Sequence, residues 1–474
     1  AKYGGFADSN DDGNPFRASG GSSEWAEGLD ADNQPKPANY FLAGEPSQMT
    51  AAVRPAFLRA EVPAAGITAG SAMSSGAITN AGANLYMPRF DGRRWSGTLL
   101  SHSLGLDASG GALRRADQPD WDAGALLTGN PAAKPAMAAR DVSGRRIFTL
   151  STDGVGTPFQ WEALDGVLRS RLNATPYAEP AASDALGAER LAYLRGDRRK
   201  ELSVPNGVFR VRDSVMGDVA HSTPVFVGAP SPVIQGPGYD RFLAAHRGRT
   251  HAVYVGANDG MLHAFAAHTG EELFAYVPRT MFPKLAAYTS PDYAHQSYVD
   301  GTPAAAEARM ADGAWKTVLV SGSGGGATGV FALDASDPAA FSADKVMWEF
   351  TGADDADMGY LTQAPRIMKF RTSAATKTRA ATYGWFAVVP SGFNNANHGK
   401  RAALFLLSLD KPSAAAWEQG VSYHKIVLPR PADNTLVNAL SAPGDHAAAD
   451  GTTRFLYAGD TQGNMWKFDF TGNA

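Results

Sequence analysis

A strand–turn–strand pattern repeats along the second half of this 474-residue chain, and it limits the possible folds more than any other feature. Short β-branched or aromatic runs end at Gly256, Gly322, Gly392 and Gly459, and a second such run follows each glycine. The glycines recur at intervals of roughly 65 to 70 residues, within the looser range for four-stranded propeller blades that carry insertions. Because one such unit cannot bury both faces of its sheet, neighbouring units must stack on one another.

The clearest repeat runs from Ser222 to Tyr276 and contains four predicted strands. Its second and third strands are joined by a tight turn at Asn258-Asp259-Gly260, and its third and fourth by a Thr269-Gly270 turn. Two weaker units precede it, from Leu85 to Trp121 and from Arg146 to Trp161. Three later repeats have the same order of elements, the last ending after its third strand, and they cover residues 301–350, 363–410 and 440–469.

These units predict an all-β protein, a β-propeller of about six to seven four-stranded blades. We place the propeller at residues 84–474, with an incomplete last blade. Residues 1–83 are predicted to be an acidic, loop-rich lead-in with one short helix, where Met49, Val53 and Phe57 recur at helical spacing. The chain has neither an initiator methionine nor a signal-peptide pattern, and we interpret its start as a cut inside a longer protein.

Composition argues against several classes of function. The chain has 43 basic and 47 acidic residues, so no cationic excess is available to neutralise nucleic-acid phosphates. It has no cysteine, which excludes thiol nucleophiles and zinc ribbons, and no apolar stretch approaches the roughly 20 residues of a membrane-spanning helix. Because no phosphate-binding loop, nucleophile elbow or zinc motif is present, we predict a protein that is not an enzyme.

Four scattered histidines are expected to satisfy backbone groups: His221, His263, His295 and His398.

Five long motifs occur in order along the chain: Ala1-Lys2-Tyr3-Gly4-Gly5-Phe6, Tyr193-Leu194-Arg195-Gly196-Asp197, Gly217-Asp218-Val219-Ala220-His221-Ser222-Thr223-Pro224-Val225, Val255-Gly256-Ala257-Asn258-Asp259-Gly260-Met261-Leu262-His263 and Tyr457-Ala458-Gly459-Asp460-Thr461-Gln462-Gly463-Asn464-Met465-Trp466. Together they resemble the C-terminal propeller domain of the PilY1/PilC proteins, the tip-associated adhesins of bacterial type IV pili. The resemblance covers essentially the whole chain. The family's large N-terminal region, often similar to a von Willebrand factor A domain, and its final blade material have no counterpart in this sequence.

The resemblance implies a type IV pilus-associated adhesin and assembly factor that supports pilus biogenesis, surface attachment and twitching motility. It implies a location outside the cell, at the pilus tip or associated with the outer membrane. The implied partners are minor pilins at the tip and a host-cell or surface ligand. In this interpretation a rigid disc presents its loops to the ligand while another surface joins the tip complex.

Calcium is the one cofactor that the sequence suggests. Asp8, Asn10 and Asp12, followed by a glycine, provide the odd-position oxygens that open an EF-hand-type loop, although a serine replaces the acid at its twelfth position. The family resemblance implies a second site, an Asp-x-Asp-x-Asp loop before the Tyr457-Ala458-Gly459-Asp460 strand. The corresponding stretch keeps only Asp445 and Asp450, and calcium prefers six to eight hard oxygen ligands. These five residues are the candidate metal ligands.

Three alternatives are open at this point. Arg195-Gly196-Asp197 is the tripeptide that integrins recognise, although a local pairing between its arginine and aspartate explains it more economically. The repeats also resemble those of periplasmic quinoprotein dehydrogenases, which bind pyrroloquinoline quinone and calcium, but the adjacent cysteine pair of many such enzymes is impossible here. A carbohydrate-binding propeller would instead require exposed aromatic platforms on one rim.

Overall fold

The computed structural model describes residues 26–29, 35–37, 65–67, 72–73, 83–106, 113–130, 137–393, 401–429 and 437–472. The chain divides into two compact units, Ala1–Ala64 and Ala65–Ala474. In the first unit, β1 (Ala26–Leu29) pairs antiparallel with β2 (Pro35–Pro37). The helix predicted around Met49 and most of the predicted lead-in lie outside the described residues.

The second unit begins with a six-stranded sheet around one long hairpin. Its strands are β3 (Ala65–Ile67), β4 (Ala72–Met73), β5 (Ala83–Asp91), β6 (Ser96–Leu106), β7 (Leu113–Arg115) and β8 (Trp121–Asp122). Helix α1 (Ala123–Thr128) follows directly, and the Asp122 carboxylate accepts a hydrogen bond from the Ala125 backbone N–H at its first turn. The weaker sequence unit from Leu85 to Trp121 therefore forms a sheet of its own.

The second sheet contains the clearest repeat and an added hairpin. Its strands are β9 (Ile147–Leu150), β10 (Gly156–Pro158), β11 (Val225–Val227), β12 (Ala252–Ala257), β13 (Met261–Ala266) and β14 (Glu272–Val277), in the order β10-β9-β14-β13-β12-β11. Strand β9 pairs parallel with β14, next to the four antiparallel strands. The prediction of a separate blade from Arg146 to Trp161 is therefore wrong, because this hairpin extends the following blade.

Four helices lie in the connections between strands of the second sheet or directly after its last strand. They are α2 (Gly166–Leu172), α3 (Gly187–Leu194), α4 (Tyr239–His246) and α5 (Phe282–Thr289). Short 3-10 turns lie at Trp161–Ala163, Arg279–Met281 and Ala343–Lys345. Within the described part of the chain, none of the helices has the length and apolar character needed to cross a lipid bilayer.

Three further sheets have strands that neighbour each other in chain order. The third contains β15 (Ala304–Arg309), β16 (Trp315–Gly322), β17 (Gly329–Asp334) and β18 (Val346–Thr351), and the fourth contains β19 (Arg366–Ser373), β20 (Thr382–Pro390), β21 (Ala403–Ser408) and β22 (Tyr423–Val427). The fifth contains β23 (Gly444–Ala447), β24 (Thr453–Gly459) and β25 (Met465–Asp469). All the pairings are antiparallel, which is the up-and-down order of a propeller blade.

The core lies between successive sheets. Leu99 of β6 shares an apolar cluster with Phe265 of β13, and Tyr276 of β14 packs on Phe331 of β17 with ring centroids 5.0 Å apart. Two more clusters continue the series, one joining the third and fourth sheets and one joining the fourth and fifth. Successive sheets therefore pack face to face, in the way that the blades of a β-propeller do.

Two of the repeated glycines, Gly256 and Gly392, lie where a connection between sheets crosses the end of the second strand of a blade. A Cβ atom at Gly256 would lie 2.4 Å from the Val299 carbonyl oxygen. Gly392 has a φ of +71°, and a Cβ there would lie 2.3 Å from the Tyr360 carbonyl oxygen. Backbone atoms at these distances leave no room for a side chain, so glycine is a steric requirement at these two positions.

Candidate functional site

The Asn258-Asp259-Gly260 turn between β12 and β13 is buried and bonded on every side. The Asn258 backbone N–H donates to the Asp218 carbonyl oxygen at 2.8 Å, and its side-chain amide donates to the Asp218 carboxylate at 2.7 Å. The Asn258 side-chain oxygen accepts from the Tyr298 backbone N–H at 2.8 Å. Gly260, with φ of +92°, completes the tight turn. The turn thus ties three distant chain segments together.

A buried chain of charges continues from this turn into the second sheet. The His263 ring lies between Asp259, at 3.1 Å from Nε2, and Glu272, at 2.9 Å from Nδ1. Two nitrogens of Arg145 donate to the two Glu272 oxygens, each at 2.7 Å. All four side chains are buried, and their formal charges cancel when His263 is protonated. Such a closed network stabilises a fold and offers no group to a substrate.

The pKa values follow from this packing. Burial disfavours the charged imidazole, but the neighbouring Asp259 and Glu272 outweigh it and raise the pKa of His263 to about 9. Burial likewise opposes ionisation of Glu272, yet the Arg145 guanidinium holds the pKa of that carboxyl well below its usual range. At neutral pH the network is therefore fully ionised.

Two other described histidines also pair with buried aspartates. His295 Nε2 lies 2.9 Å from Asp218 Oδ2, and His221 Nδ1 lies 2.6 Å from Asp300 Oδ2. The expectation that these histidines and His263 satisfy backbone groups is wrong, because carboxylates are their partners. The fourth, His398, lies outside the described residues.

The predicted calcium ligands divide between described and undescribed parts of the chain. Asp8, Asn10 and Asp12 lie outside the described residues. Asp445, on β23, accepts a hydrogen bond from the Arg366 guanidinium at 2.5 Å, and Asp450 lies 3.2 Å from the Lys369 ammonium. Where the structure describes the chain, no three histidine, aspartate or glutamate side chains are grouped so that they could hold a metal ion.

The Arg195-Gly196-Asp197 tripeptide is part of the interior. The Arg195 side chain is buried and donates to the carbonyl oxygens of Val142, Arg145 and Phe159 at 2.8–3.0 Å. Asp197 accepts from Arg199 at 2.6–3.0 Å. Because the arginine supports the backbone of other segments, the tripeptide is not displayed as a free recognition loop.

A cavity of about 430 Å³ lies beside the β5–β6 hairpin. Two of its polar groups bond to the protein: Thr98 donates to Asp122, and the Thr128 hydroxyl accepts from the Val215 backbone N–H at 2.8 Å. These internal hydrogen bonds leave the two hydroxyl groups little capacity for a polar ligand.

A family model described as the PilY1 beta-propeller domain matches residues 216–474, more than half of the chain. This chain belongs to the PilY1 β-propeller family. The match begins at Met216, one residue before the segment that bonds the Asn258-Asp259-Gly260 turn, and it includes the second to fifth sheets apart from the β9–β10 hairpin. The family thus confirms the predicted propeller fold.

Named relatives support the same family. The type IV pilus biogenesis factor PilY1 homolog of Xylella fastidiosa is 33% identical over 492 residues, covering 100% of this chain and 35% of that protein. The type IV pilus biogenesis factor PilY1 of Pseudomonas aeruginosa strain UCBPP-PA14 is 32% identical over 80% of this chain and 30% of that protein. The crystal structure of the P. aeruginosa PilY1 C-terminal domain matches with a TM-score of 0.41 and 32% identity, covering 52% of this chain and 45% of that one. The chain spans about a third of the length of these two curated relatives.

Sequence reasoning missed the Arg145–Glu272 pair in this PilY1-family propeller. The two residues are 127 positions apart, and Arg145 lies just before the hairpin that joins β14 in parallel. An arginine next to a predicted strand is usually solvated, so no local pattern distinguishes it. The only available signal was Glu272 itself, at an inward position of an otherwise apolar strand.

Proposed function

We propose that this chain is the propeller module of a type IV pilus-associated factor that works outside the cell, at the pilus tip, in pilus assembly and surface attachment. The observation that carries the proposal is the family match over residues 216–474. The relatives that match the chain are named type IV pilus biogenesis factors, which favours this function over the quinoprotein alternative. Minor pilins and a host-cell or surface ligand are the proposed partners.

The proposed mechanism is interfacial and not enzymatic. The titratable groups around the Asn258-Asp259-Gly260 turn are consumed by internal pairs, such as Arg145 with Glu272 and His295 with Asp218. Stacked sheets with buried ion pairs form a stiff body, and a stiff body presents its loops to a partner at low entropic cost. Binding by surface loops is therefore the activity that this arrangement supports best.

Deletion of residues 65–474 from the gene in the source organism tests the proposal. We expect fewer surface pili, weaker attachment and reduced twitching, and restoration of all three by the unaltered gene. An immunoblot of the truncated protein controls for loss of the whole product. Normal pilus number, attachment and twitching in cells that hold the truncated protein at the normal level would refute the proposal.

Calcium binding at the predicted residues is a separate part of the proposal. An ion bound by Asp445 and Asp450 must compete with the Arg366 and Lys369 side chains that now neutralise them. Titration calorimetry of the full chain with CaCl₂, compared with D445N/D450N, tests this second site. Equal heats from the two proteins would remove these two residues from the set of ligands.

A further inference from the structure

The cavity beside the β5–β6 hairpin has one basic side chain among its described lining residues, that of Arg89. The Arg89 Nε atom is buried without a hydrogen-bond partner, and the guanidinium forms no ion pair with any described residue. Other buried arginines of this protein, such as Arg145 and Arg195, donate to carboxylate or carbonyl oxygens. A buried guanidinium nitrogen without an acceptor costs free energy, and an anionic group of a ligand would supply that acceptor.

An unused acceptor lies close to this unused donor. Arg89 is the cross-strand neighbour of Thr98, and the Thr98 hydroxyl donates to Asp122 Oδ1. Asp122 Oδ1 also accepts from the Ala125 backbone N–H at 2.9 Å, whereas Oδ2 accepts no hydrogen bond from a described residue. Cross-strand neighbours have Cβ atoms about 5 Å apart, so Thr98 brings the free guanidinium and the free carboxylate oxygen within reach of one small molecule.

The two other carboxylates that line the cavity already have cationic partners. Asp91 accepts from Arg93 Nε at 3.1 Å, and Asp213 Oδ1 lies 3.3 Å from Arg94 Nε. The formal charges of these two pairs cancel, which leaves one unpaired cation and one unpaired carboxylate oxygen at the cavity. Such a site is complementary to a zwitterion, whereas a multiply charged anion would be repelled by the carboxylates.

The backbone offers an anion little help in this cavity. The Gly97 N–H donates to the Met216 carbonyl oxygen at 2.9 Å, and the Gly129 N–H donates to the Ala125 carbonyl oxygen at 2.8 Å. A negatively charged group would therefore bind at the Arg89 guanidinium. The volume of about 430 Å³ is within the usual range for pockets that bind small molecules.

We propose that this cavity binds a free α-amino acid, with the ligand carboxylate on the Arg89 guanidinium and the ligand ammonium on Asp122 Oδ2. An α-amino acid has both charged groups on one carbon atom, and the site has both complementary charges beside one threonine. Ser96 and Ser214 also line the cavity, which favours a polar ligand side chain such as the amide of glutamine. The inference goes beyond the proposed function and does not depend on it.

The test measures binding of L-glutamine to the purified full chain by isothermal titration calorimetry. Two analogues are matched probes, since glutaramate lacks the ammonium and 4-aminobutanamide lacks the carboxylate. Arg89→Met removes the guanidinium, and Asp122→Asn removes the negative charge while asparagine still caps the helix that follows. Arg114→Met is the control, because Arg114 is an exposed residue of β7 in the same sheet and does not line the cavity. A cooperative thermal transition in each variant establishes that it is folded.

The inference predicts that the unaltered chain binds glutamine about tenfold or more tightly than either analogue. Arg89→Met should lower the affinity for glutamine to that for 4-aminobutanamide and leave the affinity for 4-aminobutanamide unchanged. Asp122→Asn should remove the preference for glutamine over glutaramate in the same way. Arg114→Met should stay within about twofold of the unaltered chain for all three probes.

Equal binding of glutamine by Arg89→Met and the unaltered chain would overturn the inference. So would failure of the unaltered chain to bind glutamine, serine and leucine at millimolar concentrations. Either result would leave the proposed function intact, because that function is tested by pilus number, attachment and twitching. D-Galacturonate and inorganic phosphate are further probes. Binding of either one that depends on Arg89, without binding of an amino acid, would overturn the inference in favour of an acidic sugar or a phosphate.

Discussion

Two turns in this propeller have similar sequences and opposite environments. Asn258-Asp259-Gly260, between β12 and β13, is buried beneath Asp218 and Tyr298. The turn Asp460-Thr461-Gln462-Gly463, between β24 and β25, is partly exposed, and Met465, two residues after it, is 74% exposed. Both turns follow the glycine that ends a blade's second strand. The difference shows that the local sequence sets the turn, whereas the segments packed above it set its burial.

The aspartates of the two turns show the same difference. Asp259 accepts from the Gly217 backbone N–H at 2.9 Å and pairs with a buried histidine. Asp460 accepts from the side chains of Asn438 at 2.9 Å and Trp466 at 2.8 Å, near the surface. The first aspartate belongs to a buried network of charged partners, whereas the second accepts hydrogen bonds from neutral side chains. Four experiments contrast the two regions.

Glu272→Gln should have the largest effect. The substitution leaves Arg145 and His263 buried with too little negative charge, which we expect to lower the free energy of unfolding by about 3–5 kcal/mol. Urea denaturation followed by tryptophan fluorescence measures the loss. Glu271→Gln, at the exposed position next to it, is the matched control and should change stability by less than about 0.5 kcal/mol. Equal stability of the two variants would show that the network does not support the second sheet.

Raising the pH should lower the stability of the second sheet relative to the fifth, by a smaller amount than Glu272→Gln does. Because the pKa of His263 is raised to about 9 in the folded protein, its contribution is complete below the unfolded value of about 6.5 and disappears as the pH rises through 9. We expect a loss of up to about 3 kcal/mol between pH 6.5 and 9.5. Hydrogen exchange should show this loss in residues 252–277. His263→Gln should flatten the dependence, and an unchanged slope in that variant would contradict the assignment.

Gly256→Ala and Gly459→Ala compare the two glycines directly. A Cβ at Gly256 would meet the Val299 carbonyl oxygen at 2.4 Å, whereas at Gly459 the nearest atom would be 3.9 Å away. We expect Gly256→Ala to cost about 1–3 kcal/mol and Gly459→Ala less than about 0.5 kcal/mol, both measured by urea denaturation. Similar losses of stability in the two variants would mean that the segment around Val299, which crosses the end of β12, moves easily to make room for the added methyl group.

Asp460→Asn should have the smallest effect, about 0.5–1 kcal/mol. The asparagine keeps one acceptor for Asn438 or Trp466 but loses the charge that strengthens these hydrogen bonds. Local hydrogen exchange in β24 and β25 should increase, while residues 252–277 stay protected. A loss of protection in the second sheet as well would show that the two regions are coupled.

Much of the fold could be predicted from the sequence because blade strands pair with their neighbours in the chain. Short apolar runs ended by Gly256 or Gly322 locate β12 and β16 without knowledge of distant contacts. Strand β9 was assigned to a separate blade because its parallel pairing with β14 depends on a contact 128 positions away, such as the Thr149 hydroxyl donating to the Val277 carbonyl oxygen. Strand β22, with the pattern of a mixed surface segment, was not predicted either.

The candidate sites were less predictable for a related reason. Titratable residues acquire their roles from partners that no spacing rule connects, as His295 does from Asp218. The unpaired guanidinium of Arg89 also depends on structure, since no pattern in the sequence shows which arginines have a carboxylate partner.

The parallel pairing of β9 with β14 has a consequence for how the chain is made. A ribosome or export channel releases β9 long before β14, so an edge strand waits unpaired while the intervening polypeptide emerges. Cutting the chain between these two strands during synthesis would leave a hairpin with open amide and carbonyl groups, ready to pair with another molecule. In a PilY1-family propeller built in this way, the second sheet is complete only when its last strand pairs with a hairpin made more than a hundred residues earlier.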